Sequence, residues 1–163
     1  MLPVNDFIYI RLSKNHTGEG EAIDGAGTMR IYEDYLWGHS DVWFGTNALA
    51  TGMDPVKVRH YLDLLKDQEV RVLFAYHDRT DSDIRYSARV LDIVSKKEPI
   101  GPPDPIMMPD EYRGDRRRIW LRITDLRREE KLSARSFRVT SNGKNLKDTM
   151  ISQTCFAYVE YMT

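Results

Sequence analysis

Apolar and polar positions along the chain fall mostly into short runs rather than long amphipathic stretches. Residues 7–12 (F-I-Y-I-R-L) are dense in β-branched and aromatic side chains and predict a strand that ends at the polar, glycine-bearing run 13–27. Residues 29–37 are mixed, and either a short helix or a strand fits them. Residues 41–46 (D-V-W-F-G-T) predict a short buried strand or turn. Asp54-Pro55 then sets a capping residue before a proline at the first helical position, with Val58, Tyr61, Leu62 and Leu65 following at helical spacing. The helix expected over 55–66 is the clearest in the chain.

A hairpin is predicted next. Residues 69–77 place Val70, Val72 and Phe74 on one face, residues 78–83 form a polar turn, and residues 84–94 return with Tyr86, Ala88 and Val90 alternating against polar neighbours. Residues 96–115 hold five of the seven prolines, which makes that insert stiff and irregular. Strands are expected over 118–126, around Trp120, over 137–140 before the turn Ser141-Asn142-Gly143, and over 154–161. Six short strands with one firm helix, and adjacent antiparallel runs in place of βαβ alternation, predict an α+β fold: a curved mixed sheet or open barrel with helices on its outside.

A chain of 163 residues, 41% hydrophobic and 30% charged, fits one domain, 1–163. No apolar run approaches the ~20 residues that cross a bilayer, so no membrane partner is expected. The single cysteine, Cys155, excludes an internal disulfide and makes a cytoplasmic setting the default. Charge is divided unevenly. Through Tyr112 there are 12 Lys+Arg against 19 Asp+Glu; beyond it there are 12 against 6. Residues 113–138 carry ten basic side chains, nine of them Arg, against four acidic ones. Forked guanidinium donors suit phosphate, so the bias points to a nucleic-acid partner. The competing reading is a solvated face paired with the acidic half.

Catalytic and cofactor signatures are sparse. His16, His39, His60 and His77 fall in no metal-binding spacing, so neither metal nor cofactor is expected. A phosphate-binding P-loop and a nucleophile elbow are both missing from the sequence. His39, between Gly38 and Ser40, has no evident orienting partner. A binding domain is therefore expected rather than an enzyme.

The ordered set F-I-Y-I-R, V-W-F-G-T, the hairpin V-L-F-A-Y…I-R-Y-S-A-R-V, R-I-W-L-R-I and S-N-G-K-N-L…S-Q-T-C-F-A-Y-V resembles the YTH and EVE branch of the PUA-like superfamily, whose members read modified bases. The resemblance implies a PUA-like sheet or barrel and a reader of methylated DNA, N6-methyladenine foremost, with 5-methylcytosine or N6-methyladenine RNA as alternatives. Similar modules stand at the N-terminus of McrB-type restriction subunits, ahead of an AAA+ motor that works with a nuclease. A chain that starts at Met1 and stops after a strand has the look of such an N-terminal piece. A nucleic-acid-modifying enzyme and a protein-interaction domain that uses the proline-rich insert remain the other readings.

A methylated base is read on its Watson–Crick edge, so it must leave the stack and enter a pocket with flat aromatic walls. Trp43 holds the family's Val-Trp-x-x-Thr position and is the expected first wall, with a core role as the competing reading. Thr46 and Asn47 follow, displaced by one residue from the family pattern. Tyr112, the only aromatic residue of the insert, or Trp37 is expected as a second wall, with Met107 and Met108 as apolar alternatives. Ser13, Lys14 and Asn15 follow the first strand, where the family places polar contacts, Lys14 toward the backbone. Asn142 stands where the family has an acidic turn residue. Trp120 matches a strand tryptophan and is expected in the core. Arg113, Arg116, Arg117 and Arg118 are expected to track phosphates.

Overall fold

A computed structural model describes residues 2–12, 15–16, 22–76, 83–150 and 155–162. Seven strands form one mixed sheet: β1 (Phe7–Arg11), β2 (Val42–Thr46), β3 (Arg71–Ala75), β4 (Tyr86–Ile100), β5 (Arg117–Arg128), β6 (Phe137–Val139) and β7 (Phe156–Tyr161). Their order is β6-β7-β1-β3-β4-β5-β2. Every pairing is antiparallel except that of β1 with β3. The sheet is open, with β6 and β2 at its edges. Helices α1 (Gly25–Trp37), α2 (Pro55–Leu64) and α3 (Leu146–Met150) accompany it. The α+β class stands.

Both faces of the central strands are covered, as their continuous apolar runs require. Ile8 and Ile10 of β1, Val72 and Phe74 of β3 and Phe156 of β7 enter the larger core. Their alternate neighbours Tyr9, Leu73, Ala75, Ala157 and Val159 enter a second core, closed by Phe137 and Leu146. Helix α2 starts at Pro55, where the Asp54 side chain accepts from Val56 N at 2.8 Å, and it buries Tyr61.

Residues 29–37, ambiguous in sequence, belong to a helix that starts earlier. Gly25, Thr28, Met29 and Tyr32 form its buried stripe, and the Asp24 side chain caps it by accepting from Gly27 N at 2.7 Å. Gly25 is required by contact: a β-carbon there would collide with Tyr76 Cβ and crowd Leu12. The run 13–27 was expected as one polar loop. Among its described residues, Asn15–His16 pairs with Ala22–Ile23, and α1 begins at Gly25.

The predicted hairpin is β3 with β4, and β4 and β5 are both longer than the alternation predicted. Strand β4 runs to Ile100 and β5 to Arg128, so the irregular insert narrows to 101–116. From Ser87/Arg127 to Arg89/Thr124 the pairing advances two residues on β4 and three on β5. Asp125 absorbs this bulge with φ 51. Arg71 holds the bend, donating to Asp125 O at 2.9 Å and to its carboxylate at 3.1 Å. The expected turn over 78–83 lies outside the described residues except for Asp83, and the start of the last expected strand, Thr154, also lies outside them.

Candidate functional site

Strand β2 is an edge strand, and its outer side is where α1 and the insert converge. Thr28 and Tyr32 are four residues apart on α1 and so share one helix face. The Tyr32 hydroxyl donates to Trp43 O at 3.2 Å, using a backbone acceptor that no further strand takes. Past Ile100 the chain makes two 3₁₀ turns, Pro105–Met107 and Asp110–Tyr112. The second carries Tyr112 onto Tyr32. Their rings stack with centroids 5.7 Å apart and planes 14° from parallel, and the Tyr112 and Thr28 hydroxyls are 3.0 Å apart.

Phe44 packs against Tyr32 with centroids 5.2 Å apart. Gly45 pairs directly with Trp120 across the strands. A β-carbon at Gly45 would lie 2.7 Å from the Trp120 ring and 2.7 Å from Arg117 Cγ, so glycine lets the indole rest on the β2 backbone. Trp120 Nε1 donates to Ile100 O at 3.1 Å, which fixes the ring. These groups, with Met108, Asp115 and Arg117, enclose a cavity of about 10 Å³. That is room for about one water. Burial raises the Tyr32 hydroxyl well above its ordinary pKa, and Tyr112, Asp115 and Glu111 add to the shift. Burial also raises Tyr112, against the lowering effect of its bond to Thr28. Both phenols are therefore neutral. The site offers aromatic faces for a flat ring, the hydroxyls of Thr28, Tyr32 and Tyr112, and a carboxylate–guanidinium pair with Arg117 Nη2 2.7 Å from Asp115.

Comparison with protein families, with curated proteins and with solved structures finds no match.

The residues singled out in the sequence divide into several groups. Tyr112 and Met108 line the cavity. Trp43 is 5% exposed and belongs to the larger core, and the neighbouring Phe44 and Gly45 line the cavity. Trp37 sits at the end of α1, 93% exposed, and lines a separate groove. Thr46 accepts from Ala48 N at 3.1 Å. Asn47 uses both ends of its amide on the start of β5, donating to Arg116 O at 3.3 Å and accepting from Arg118 N at 2.7 Å. Asn142 closes its own turn by accepting from Lys144 N at 2.9 Å. Ser13 and Lys14 lie outside the described residues; Asn15 is described only in its backbone, which pairs with Ile23. Trp120 is fully buried, as read, and also lines the cavity.

The arginines are not equivalent. Arg113 binds inward, donating to Pro105 O at 2.9 Å and Met108 O at 3.2 Å, and pairs with Asp110. Arg117 pairs with Asp115. Farther along, Arg122 pairs with Asp41, Arg128 with Glu33 and Arg138 with Glu160. Much of the basic segment is thus neutralised by carboxylates, as the competing reading of its charge held. Arg116 and Arg118 differ: each spends one donor on a carbonyl, Pro99 O at 3.0 Å and Lys97 O at 3.3 Å, with no carboxylate partner among the described residues. They flank Arg117 beside the cavity.

Thr28, Tyr32, Phe44, Gly45 and Asp115 were not read as site residues. The i, i+4 spacing of Thr28 and Tyr32 carries a signal, visible only once 25–37 is recognised as a helix.

Proposed function

We propose that this chain is a PUA-like reader of modified nucleic acid that takes an extruded base against Tyr32, between α1 and the insert. The observation that carries the reading is the pairing of an aromatic, hydroxyl-bearing cavity with two arginines that lack carboxylate partners at its side. The base stacks on the Tyr32 ring in the place now held by Tyr112, and the turn Asp110–Tyr112 moves outward to admit it. A cavity with room for about one water makes that movement necessary. Thr28 and the Asp115–Arg117 pair meet the polar edge of the base, and Met108 and Phe44 meet its methyl group. Arg116 and Arg118 hold the flanking phosphates, where a guanidinium edge is open to solvent. The favoured target is N6-methyladenine in duplex DNA. In that role the chain serves as the targeting module of a cytoplasmic restriction system, with an AAA+ motor and a nuclease as its working partners.

The test is fluorescence anisotropy with a duplex carrying one N6-methyladenine, the same duplex unmodified, a 5-methylcytosine duplex and a methylated RNA. One buried methyl contributes about 0.8 kcal/mol, or about fourfold in affinity. The N6-methyladenine duplex should bind at least that much more tightly than its unmodified partner. Thr28→Val, which keeps the shape and removes the hydroxyl, should reduce the preference. Equal affinity for all four ligands would refute the reading.

A further inference from the structure

Beyond the cavity, two grooves meet at the C-terminal end of α1. One, of about 350 Å³, lies between Trp37 and the bulge of β5. The other, of about 410 Å³, lies between Tyr35 and the insert and shares Met108 with the cavity. His39 belongs to both grooves. At their rims stand two of the most exposed large apolar side chains of the described residues, Trp37 at 93% and Ile106 at 82%. A surface that leaves both in water has a reason to be covered.

The support beneath them is already ordered. The Tyr35 hydroxyl donates to Ile106 O at 3.1 Å and ties the insert to the helix. The His39 ring lies parallel to Tyr35, centroids 3.9 Å apart and planes 5° from parallel, with Nδ1 2.8 Å from Tyr35 O. Charge decides what fits. Glu33, Asp34, Asp110, Glu111 and Asp125 line the two grooves; Glu33 pairs with Arg128, Asp110 with Arg113, and Asp125 with Arg71 and Arg127. Asp34 and Glu111 have no ion pair among the described residues. These two unpaired carboxylates favour a lysine or arginine over a phosphate as the group that faces them.

We infer that this double groove is a docking surface for a basic segment of another protein, one that alternates Lys or Arg with large apolar side chains. The apolar residues cover Trp37 and Ile106, and the cations face Asp34 and Glu111. The surface adjoins the proposed base site at Met108 and the turn Asp110–Tyr112, but its use does not depend on that reading.

The probe is a synthetic octapeptide of alternating Arg and Leu, with Glu–Leu and Arg–Ser counterparts as controls. Trp43 and Trp120 are buried, so a blue shift of tryptophan emission reads the covering of Trp37. The Arg–Leu peptide should give a saturable blue shift, at least tenfold tighter than either control. Binding should weaken tenfold or more in Trp37→Ser/Ile106→Ser, and Asp34→Asn/Glu111→Gln should weaken it and flatten its salt dependence. Trp37 and Ile106 lie outside the proposed base site, so oligonucleotide binding should not change in Trp37→Ser/Ile106→Ser. Three results would overturn the inference. One is no preference for the Arg–Leu peptide at millimolar concentration. Another is loss of oligonucleotide binding in Trp37→Ser/Ile106→Ser, which would make the grooves a nucleic-acid track. The third is a concentration-dependent mass in sedimentation that the same variant abolishes, which would make the occupant a second copy of this chain.

Discussion

Arg116, Arg117 and Arg118 are adjacent in sequence and should fail differently when replaced. The middle arginine differs from its neighbours in having a carboxylate partner. It meets Asp115 at 2.7 Å, with side chains only 20% and 10% exposed. Removing one partner of such a pair leaves a poorly solvated charge behind and costs about 3–5 kcal/mol when burial is complete. With this residual exposure the lower end applies. For a chain of this length about 3 kcal/mol is a fall of roughly 6–12 °C in Tm. Arg116→Ala/Arg118→Ala removes only bonds to the carbonyls of Pro99 and Lys97, so its Tm should stay within about 3 °C of the parent, on the order of 1 kcal/mol. Its effect should appear in binding. If each arginine neutralises one phosphate of a duplex, the slope of log K against log salt becomes shallower by about 0.9 per contact, about 1.8 for both. The assay is anisotropy with one labelled duplex from low to high salt, beside differential scanning calorimetry of each variant. An unchanged slope in the double variant would refute the phosphate role. A parent-like Tm in Arg117→Ala would refute the structural one.

Trp43→Ala should lower stability by about 3–5 kcal/mol in chemical denaturation, the usual cost of truncating a buried aromatic side chain. Gly45→Ala should cost about 1–3 kcal/mol by overpacking, because the Trp120 ring must retreat from β2, and near-ultraviolet circular dichroism should record that movement. Glu33 is held below the ordinary carboxylate range, chiefly by its hydrogen bond from Arg128. The native state therefore binds fewer protons than the unfolded one, so this stabilisation is complete above the ordinary glutamate range and is lost as pH falls through the native value. Thermal melts from neutral pH to pH ~3 should show a weaker acid dependence in Glu33→Gln than in the parent.

Where one physical signal dominated, the sequence could be read directly. Alternation found β1, β3 and the body of the hairpin, and Asp54-Pro55 with Tyr61 at helical spacing found α2. Helix α1 was obscured by Gly25 and Gly27. In a linear reading these suggest a loop, whereas Gly25 is dictated by the approach of Leu12 and Tyr76, which are distant in sequence. The cavity walls were harder still. The motif singles out Trp43, but the tertiary fold gives the cavity its neighbours Phe44 and Gly45. Asn47 illustrates the limit: its partners are 69 and 71 residues away. The charge bias of 113–138 was real, but composition does not say which arginines have carboxylates opposite them.

The position of β1 has a consequence for how the chain is made. It is made before every other strand of the sheet, yet it lies inside the sheet between β3 and β7. Its partner Phe156–Tyr161 is made about 145 residues after Arg11. At ribosomal speeds of ~5–20 residues per second, one side of β1 waits roughly 7–30 s for that strand. Throughout the wait Ile8, Tyr9 and Ile10 are bordered by an unpaired row of backbone donors and acceptors, a template for any passing strand. A nascent chain stalled before residue 156 should therefore be captured by chaperones or aggregate, and release of the segment 156–161 should end that vulnerability.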